Sequence, residues 1–125
     1  DNHEGTCKII VPGGIYRPES HSISSSMSLG FLDTIYANKA FIGVDGLTIA
    51  QGITTPIYEE SVKSRNMVEK NSGIVYVVAS HDKIGIVSNY CISHLDKVGA
   101  IITDHCGAEL LKSFEDFDLD IKEID

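Results

Sequence analysis

Residues 74–79 (I-V-Y-V-V-A) constrain the fold of this chain more than any other stretch. The run is continuous, apolar and rich in β-branched residues, whereas a strand with one face in water alternates apolar and polar positions. It therefore predicts a strand that is covered on both faces, as in a parallel sheet flanked by helices.

Segments of strand and helix character alternate on both sides of this run. Such alternation predicts a single α/β domain over residues 1–125, with a mostly parallel sheet, helices on both faces and right-handed crossovers. In the second helix, the side chains predicted to face inward are Tyr58, Val62, Arg65, Val68 and Glu69. The predicted strands are 7–11, 40–44, 74–79, 90–92, 100–103 and 119–124, and the predicted helices are 31–37, 57–71 and 107–114, with one helical turn at 94–97.

The composition limits the possible partners. A net charge of −8 opposes nucleic-acid binding by these residues themselves, because attraction to phosphate needs a basic surface. No apolar run approaches the ~18 residues of a membrane span. Three cysteines without a disulfide-like spacing fit a reducing cytoplasm. Because the chain begins at Asp1 rather than Met, we expect it to be part of a longer protein.

Residues 39–65 hold most of the candidate site. A strand ends at Asp45-Gly46, and a polar loop rich in Gly and Thr is expected before the second helix. Ligands bind at the carboxyl ends of strands in open α/β sheets, so Asp45 is a candidate acceptor for hydrogen bonds from a ligand; the alternative is a turn residue. Thr54 and Thr55 are candidates for an anion site at the helix N-terminus, with helix capping as the alternative.

Each of the other candidate ligand-binding residues also has a purely structural interpretation. The backbone N–H groups of Gly13 and Gly14 could line an anion or sugar site or close a tight turn. Glu60 and Lys63 could contact a ligand or form a surface pair at i, i+3. Lys83, which follows the strongest strand, could pair with a phosphate or remain in solvent.

Histidines and cysteines do not indicate a metal site. The spacings Cys91-x-x-His94 and His105-Cys106 are not standard ligand pairs, and His81 has no such neighbour in sequence. The sequence therefore predicts neither a metal nor a cofactor.

Five motifs in order resemble the C-terminal effector-binding domain of the DeoR family of bacterial sugar-metabolism repressors. The likeness covers about residues 8 to 105, most of the chain. The matching segments are 11–17 (V-P-G-G-I-Y-R), 38–46 (N-K-A-F-I-G-V-D-G), 52–63 (G-I-T-T-P with Glu60, Val62 and Lys63), 83–85 (K-I-G) and 101–104 (I-I-T-D).

The resemblance implies a fold related to sugar-phosphate isomerases and glucosamine-phosphate deaminases. It also implies a phosphorylated sugar as effector, a homo-oligomer, and DNA binding only through a separate winged-helix domain that precedes these residues. The family's phosphate-cradling D-x-G-T-T loop is expected upstream as well. The ligand-binding residues that the resemblance and the residue chemistry together indicate are Gly13, Gly14, Asp45, Gly46, Thr54, Thr55, Glu60, Lys63 and Lys83.

The sequence also departs from the family pattern and from related enzymes. The family's A-D-S-S-K is Ala79-Ser80-His81-Asp82-Lys83 here. The deaminases place a histidine directly after Asp-Gly and the isomerases place carboxylates there, whereas residues 47–49 are L-T-I. We therefore predict a sensor without catalytic residues. A phosphosugar isomerase or deaminase using Asp45 and Glu60 is the alternative, and an oligomerisation module is a third interpretation.

Overall fold

The computed structural model describes residues 7–11, 13, 15–19, 22–24, 34–105, 107–115, 117 and 119–124, and it confirms the predicted α/β fold with a mostly parallel sheet. Two short 3₁₀ turns follow β6 and β7. The strands are β1 (Ile15–Arg17), β2 (Ser22–Ser24), β3 (Ala37–Gly43), β4 (Gly46–Thr48), β5 (Gly52–Thr55), β6 (Asn71–Val78), β7 (Tyr90–Ser93), β8 (Ala100–Thr103) and β9 (Asp120–Glu123); the helices are α1 (Tyr58–Glu69) and α2 (Ala108–Glu115).

Four parallel strands in the order β3-β6-β8-β9 form the main sheet. Their register places Ile42, Val77, Ile101 and Ile121 side by side across the sheet. Because all four strands run the same way, the residues that follow β3, β6 and β8 lie at one edge of the sheet. This carboxyl edge is where the sequence places the candidate site.

The two faces of the sheet differ in what covers them. Ile42, Val77 and Ile101 are buried in the same core as Val68 of α1 and Phe114 of α2. The alternate residues of β3 and β6 point the other way, and Phe41, Ile74 and Val78 are exposed. The Phe41 ring stacks on Tyr76 with centroids 4.8 Å apart. Within the described part of the chain, both helices therefore lie on one face of the sheet, and the other face presents apolar side chains to solvent. The predicted covering of both faces by helices is not found among these residues.

A small antiparallel sheet, β4-β5-β7, corrects the prediction of a polar loop after Asp45-Gly46. The stretch is a β-hairpin in which Leu47 and Ile53 are fully buried. Alternation of apolar and polar residues and β-branched threonines favour strands, and here these preferences outweigh the Gly/Thr polarity that suggested a loop. The hairpin joins the carboxyl end of β3 to α1.

Helix α1 is predicted in the right place, but its inward face is not. The buried residues are Ser61, Ser64 and Val68, whereas Tyr58 and Arg65 are exposed. Small side chains let a helix lie close to strands, and the Ser61 hydroxyl donates a 2.6 Å hydrogen bond to the Tyr58 carbonyl. The predicted stripe is therefore right at Val68 and wrong at Tyr58, Arg65 and Glu69, which are exposed. The helix also ends before Asn71, which begins β6.

The first part of the chain differs most from prediction. Residues 7–11 do not form a buried strand, because no described strand pairs with them and the side chains of Ile9, Ile10 and Val11 are exposed. Residues 31–33 of the predicted helix 31–37 lie outside the described residues. Residues 34–36 are not helical, and residue 37 begins β3, so the prediction is wrong where it can be compared.

Among the helices of the described residues, none has the length and apolar character needed to cross a membrane.

Candidate functional site at the carboxyl edge

Asp45 lies at the carboxyl edge, as the sequence predicts, two residues beyond the end of β3. Its exposed carboxylate accepts a hydrogen bond from the Thr55 hydroxyl at 3.1 Å, through Oδ2. Its backbone N–H donates to the Thr54 carbonyl at 3.1 Å. Asp45 is therefore held in place by β5, while the rest of its carboxylate faces solvent and remains able to accept hydrogen bonds.

The two threonines of β5 are buried and used within the protein. Thr54 and Thr55 are 2% and 3% exposed. The Thr54 hydroxyl accepts the backbone N–H of Ser88 at 3.0 Å, and the Thr55 hydroxyl accepts that of Ile57 at 3.4 Å. Thr55 thus positions Asp45 and also bonds to the residue before α1. Thr54 holds the segment that follows β6 against the hairpin through its hydrogen bond to Ser88.

Replacing Thr54 by valine should destabilise the protein by about 1–3 kcal/mol, because the partly buried Ser88 N–H loses its acceptor while the buried side chain keeps its shape. The matched control is Thr48→Val, which removes the hydroxyl that accepts the Gln51 N–H at an exposed site where water can replace it. Equilibrium urea denaturation measures both. Equal stability of the two variants would contradict a structural role for the Thr54 hydroxyl.

Gly46 begins β4 and is buried. A Cβ at this position would collide with the Thr54 hydroxyl and the Ile86 carbonyl, so the site accepts no larger residue without a shift. Its neighbour Leu47 forms a bridge with Ile84 and accepts the Gly85 N–H at 2.7 Å. Gly46 therefore contributes close packing, and this packing ties the segment after β6 to the hairpin that holds Asp45.

Glu60 and Lys63 form an ion pair on α1 with an Nζ–Oε2 distance of 3.0 Å, which confirms the surface-pair interpretation of their spacing. Glu59 and Glu60 occupy the first turn of α1. Two carboxylates there compete with any other anion for the helix N-terminus. The turn after β6 contains another cation, Lys83.

Lys83 lies in the 3₁₀ turn His81–Lys83 directly after β6. In the same turn, His81 is attached twice to Asp104 of the next strand end: its backbone N–H donates to Oδ1 at 2.7 Å, and its Nδ1 lies 2.9 Å from Oδ2. These hydrogen bonds lower the pKa of Asp104 to about 2, and the Asp104 carboxylate raises the pKa of His81. The Ser80 hydroxyl bonds to Asp82 and lowers the pKa of that carboxyl.

Among the remaining candidate residues, the glycines and cysteines, those that the structure describes show no contact that indicates a function. Gly13 has a φ of +78° in the segment before β1, and Gly14 lies outside the described residues. Cys7 and Cys91 are exposed free thiols, and Cys106 is not among the described positions. No group of three or more His, Cys, Asp or Glu side chains that could hold a metal ion occurs in the part of the chain described here.

A cleft of about 710 Å³ lies at the opposite, amino-terminal edge of the sheet. Buried Val68, Val75 and Ile92 contribute to its walls. Arg65 in this cleft donates to the carbonyls of Cys91 at 2.7 Å and Ile92 at 3.4 Å, so its guanidinium fastens β7 to α1. None of the predicted ligand residues lines the cleft.

The contact between His81 and Asp104 is a feature of the carboxyl edge that sequence reasoning missed. Each residue follows a strand at the same edge, β6 for His81 and β8 for Asp104. Those strands are neighbours in the parallel sheet. Predicting this contact requires the strand order, because the residues that follow two adjacent parallel strands lie close together.

Comparison with known proteins agrees with this architecture. Residues 2–105 match the family described as the DeoR C terminal sensor domain. The chain belongs to the DeoR family. It is 27% identical over 116 residues to the HTH-type transcriptional regulator GolR of Listeria innocua, which covers 91% of the chain and 45% of that protein. It is 31% identical over 95 residues to a putative sgc region transcriptional regulator of Escherichia coli, which covers 75% of the chain and 36% of that protein.

DeoR membership fixes the general role of these residues. A third relative, the HTH-type transcriptional repressor GlcR of Bacillus subtilis, is 29% identical over 97 residues, which covers 78% of the chain and 37% of that protein. The chain spans less than half the length of these curated relatives. The family that it matches is described as a sensor domain, so the role of these residues is regulatory and not enzymatic.

Proposed function

We propose that this DeoR-type sensor domain binds a phosphorylated sugar or sugar-catabolic intermediate at the carboxyl edge of its parallel sheet. The observation that carries the proposal is the placement of Asp45. Its carboxylate is fixed by Thr55 at the end of β3 and keeps acceptor capacity toward solvent. Lys83 follows the adjacent strand β6 and supplies a cation at the same edge.

The two groups suit different parts of such a ligand. A carboxylate accepts hydrogen bonds from sugar hydroxyls, and charge-assisted bonds of this kind are stronger than neutral ones. A lysine ammonium pairs with a phosphate as a point charge. The phosphate loop that the family resemblance places upstream would complete the site in the full-length protein.

Ligand binding would be read out as a change in DNA affinity. The relatives named above include HTH-type regulators, so we propose that a separate domain of the full-length protein binds DNA in the cytoplasm. The ligand must prefer one conformational state of the regulator, because a ligand with equal affinity for both states shifts no equilibrium.

We also propose that the regulator is a symmetric homo-oligomer, as is usual among soluble assemblies. The apolar side chains that β3 and β6 leave exposed, including Phe41, Ile74 and Val78, support an interaction surface. Light scattering on the full-length protein tests this proposal, and a monomer at micromolar concentration would contradict it.

Asp45→Asn should weaken phosphosugar binding at least about tenfold, because the neutral amide accepts weaker hydrogen bonds than the carboxylate and its NH₂ group cannot accept any. The control is Asp96→Asn, which removes an exposed carboxylate at the opposite edge of the sheet. Isothermal titration calorimetry on the full-length protein measures both affinities. Unchanged affinity in Asp45→Asn would return Asp45 to the role of a bend residue.

A further inference from the structure

His81 is more firmly positioned than an ordinary surface histidine. Its backbone N–H and its ring Nδ1 both bond to the carboxylate of Asp104, at 2.7 Å and 2.9 Å. Two attachments to one carboxylate restrict the ring to the end of β6 at the carboxyl edge. In the family motif A-D-S-S-K, which this stretch resembles, the corresponding residue is a serine, so this chain differs from the motif at His81.

The ring keeps one donor for a ligand. With Nδ1 directed to Asp104, the second donor of the imidazolium is Nε2–H, and no hydrogen bond to Nε2 occurs within the described residues. The ring is also accessible, since the side chain is 60% exposed. His81 can therefore reach a bound molecule without giving up its contact with Asp104.

The charged and titratable groups around His81 favour its protonated form. The carboxylates of Asp104 and Asp82 both raise the pKa of His81. His105 faces it edge-on with centroids 6.2 Å apart, and Lys83 follows two residues later in the same turn. The contact with Asp104 is the dominant influence.

His81 and Lys83 place two positively charged groups in one turn, which also contains Asp82 and contacts Asp104. The net charge of the chain is −8, so an anion needs a local concentration of positive charge in order to bind. The first turn of α1 carries Glu59 and Glu60 and offers none. The end of β6 offers two cationic groups within three residues.

We propose that His81 is a specificity-determining residue of the effector site, which donates Nε2–H to the ligand's phosphate beside Lys83 and makes effector affinity depend on pH. The inference rests on the proposed function, because it assigns one group within the same site. Asp104 is then a positioning residue that acts through His81.

The sign of the pH dependence follows from the charge of the ring. Imidazolium attracts the phosphate below the pKa of His81, and this attraction is lost as the pH rises through that pKa. A phosphate monoester acquires its second charge near a pKa of about 6, which strengthens binding as the pH rises through that value. The two effects together give an affinity maximum between the second phosphate pKa and the raised pKa of His81, and without His81 only the rising limb and a plateau remain.

The test is calorimetric titration of the full-length protein with a panel of hexose phosphates and the matching free sugars, at several pH values from about 5.5 to 8.5. We expect the phosphate ester to bind about fivefold more weakly at the alkaline end than at its maximum, since an exposed charge contact is modest. His81→Ser should abolish that fall, and Asp104→Asn should move it to lower pH. His94→Ser, at the opposite edge of the sheet, should keep the wild-type profile.

Two results overturn the inference in distinguishable ways. If a hexose phosphate binds and the profiles of wild type and His81→Ser coincide, His81 has no part in the site, although the proposed function stands. If no hexose phosphate binds at any pH, the proposed function and this inference both fail. Ring resonances of His81 in NMR titrations provide a direct check, because Asp104→Asn should lower its pKa toward the ordinary value of about 6.5.

Discussion

Gly52→Ala is expected to destabilise the protein by about 3 kcal/mol or more, because the substitution combines backbone strain with a collision. Gly52 has a φ of +76°, in the left-handed region that residues with a Cβ rarely adopt. A Cβ at this position would also overlap the Ser93 carbonyl oxygen and lie 2.7 Å from the Cα of His94. These atoms belong to the backbone of β7 and the residue after it, so they cannot rotate away.

Two other glycines separate the two contributions. Gly85 has a φ of +95°, and no atom lies within 4 Å of the position that its Cβ would occupy, so Gly85→Ala should cost about 1 kcal/mol from strain alone. Gly43 has neither a positive φ nor a neighbour in reach, so Gly43→Ala should change stability by no more than about 0.5 kcal/mol. Urea denaturation followed by circular dichroism ranks all three. A Gly52→Ala variant no weaker than Gly85→Ala would contradict the close approach of β5 and β7.

Phe114→Ala should cost about 3–5 kcal/mol, the usual range for removing a buried aromatic ring. Phe114 is 1% exposed and is the largest of the fully buried side chains among the described residues. It belongs to the core that also contains Val77 and Ile101 of the parallel sheet. Loss of the ring leaves a cavity between α2 and the sheet, which the surrounding side chains fill only in part.

A neighbouring phenylalanine provides the matched control for this prediction. Phe117 is 44% exposed, and its backbone N–H, which donates to the Phe114 carbonyl at 3.0 Å, is unaffected by truncation of the side chain. Phe117→Ala should therefore cost about 1 kcal/mol or less. Equal losses in the two variants would show that α2 does not pack on the sheet as described.

The main sheet could be predicted because its signal is local. Residues 40–44, 74–79 and 100–103 are short apolar runs, and each corresponds to a strand, although β3 and β6 begin three residues earlier than predicted. Strands covered on a core face and separated by helical segments leave few alternatives to a parallel sheet. Their order across the sheet is not local, and this is what the sequence could not provide.

The hairpin and the buried face of α1 differ from prediction because residue polarity is a poor guide to burial at these positions. Thr54 and Thr55 are polar but lie in the interior, where hydroxyl hydrogen bonds satisfy them. Ser61 and Ser64 are buried because their small size suits close contact, and hydrophobic periodicity does not detect that requirement.

The candidate site could be predicted only one residue at a time. Asp45 is detectable in the sequence because a carboxylate directly after a strand is a local pattern. The contact of His81 with Asp104 spans 23 residues and depends on β6 and β8 being neighbours. It becomes visible only once the strands are placed.

Titration of the full-length protein with phosphorylated sugars tests the central claim most directly. The account predicts saturable calorimetric binding of at least one sugar phosphate, weaker binding of the matching free sugar, and a shift in DNA affinity in the presence of that phosphate. Absence of saturable binding by every member of the panel at millimolar concentration would contradict a phosphosugar site at the carboxyl edge.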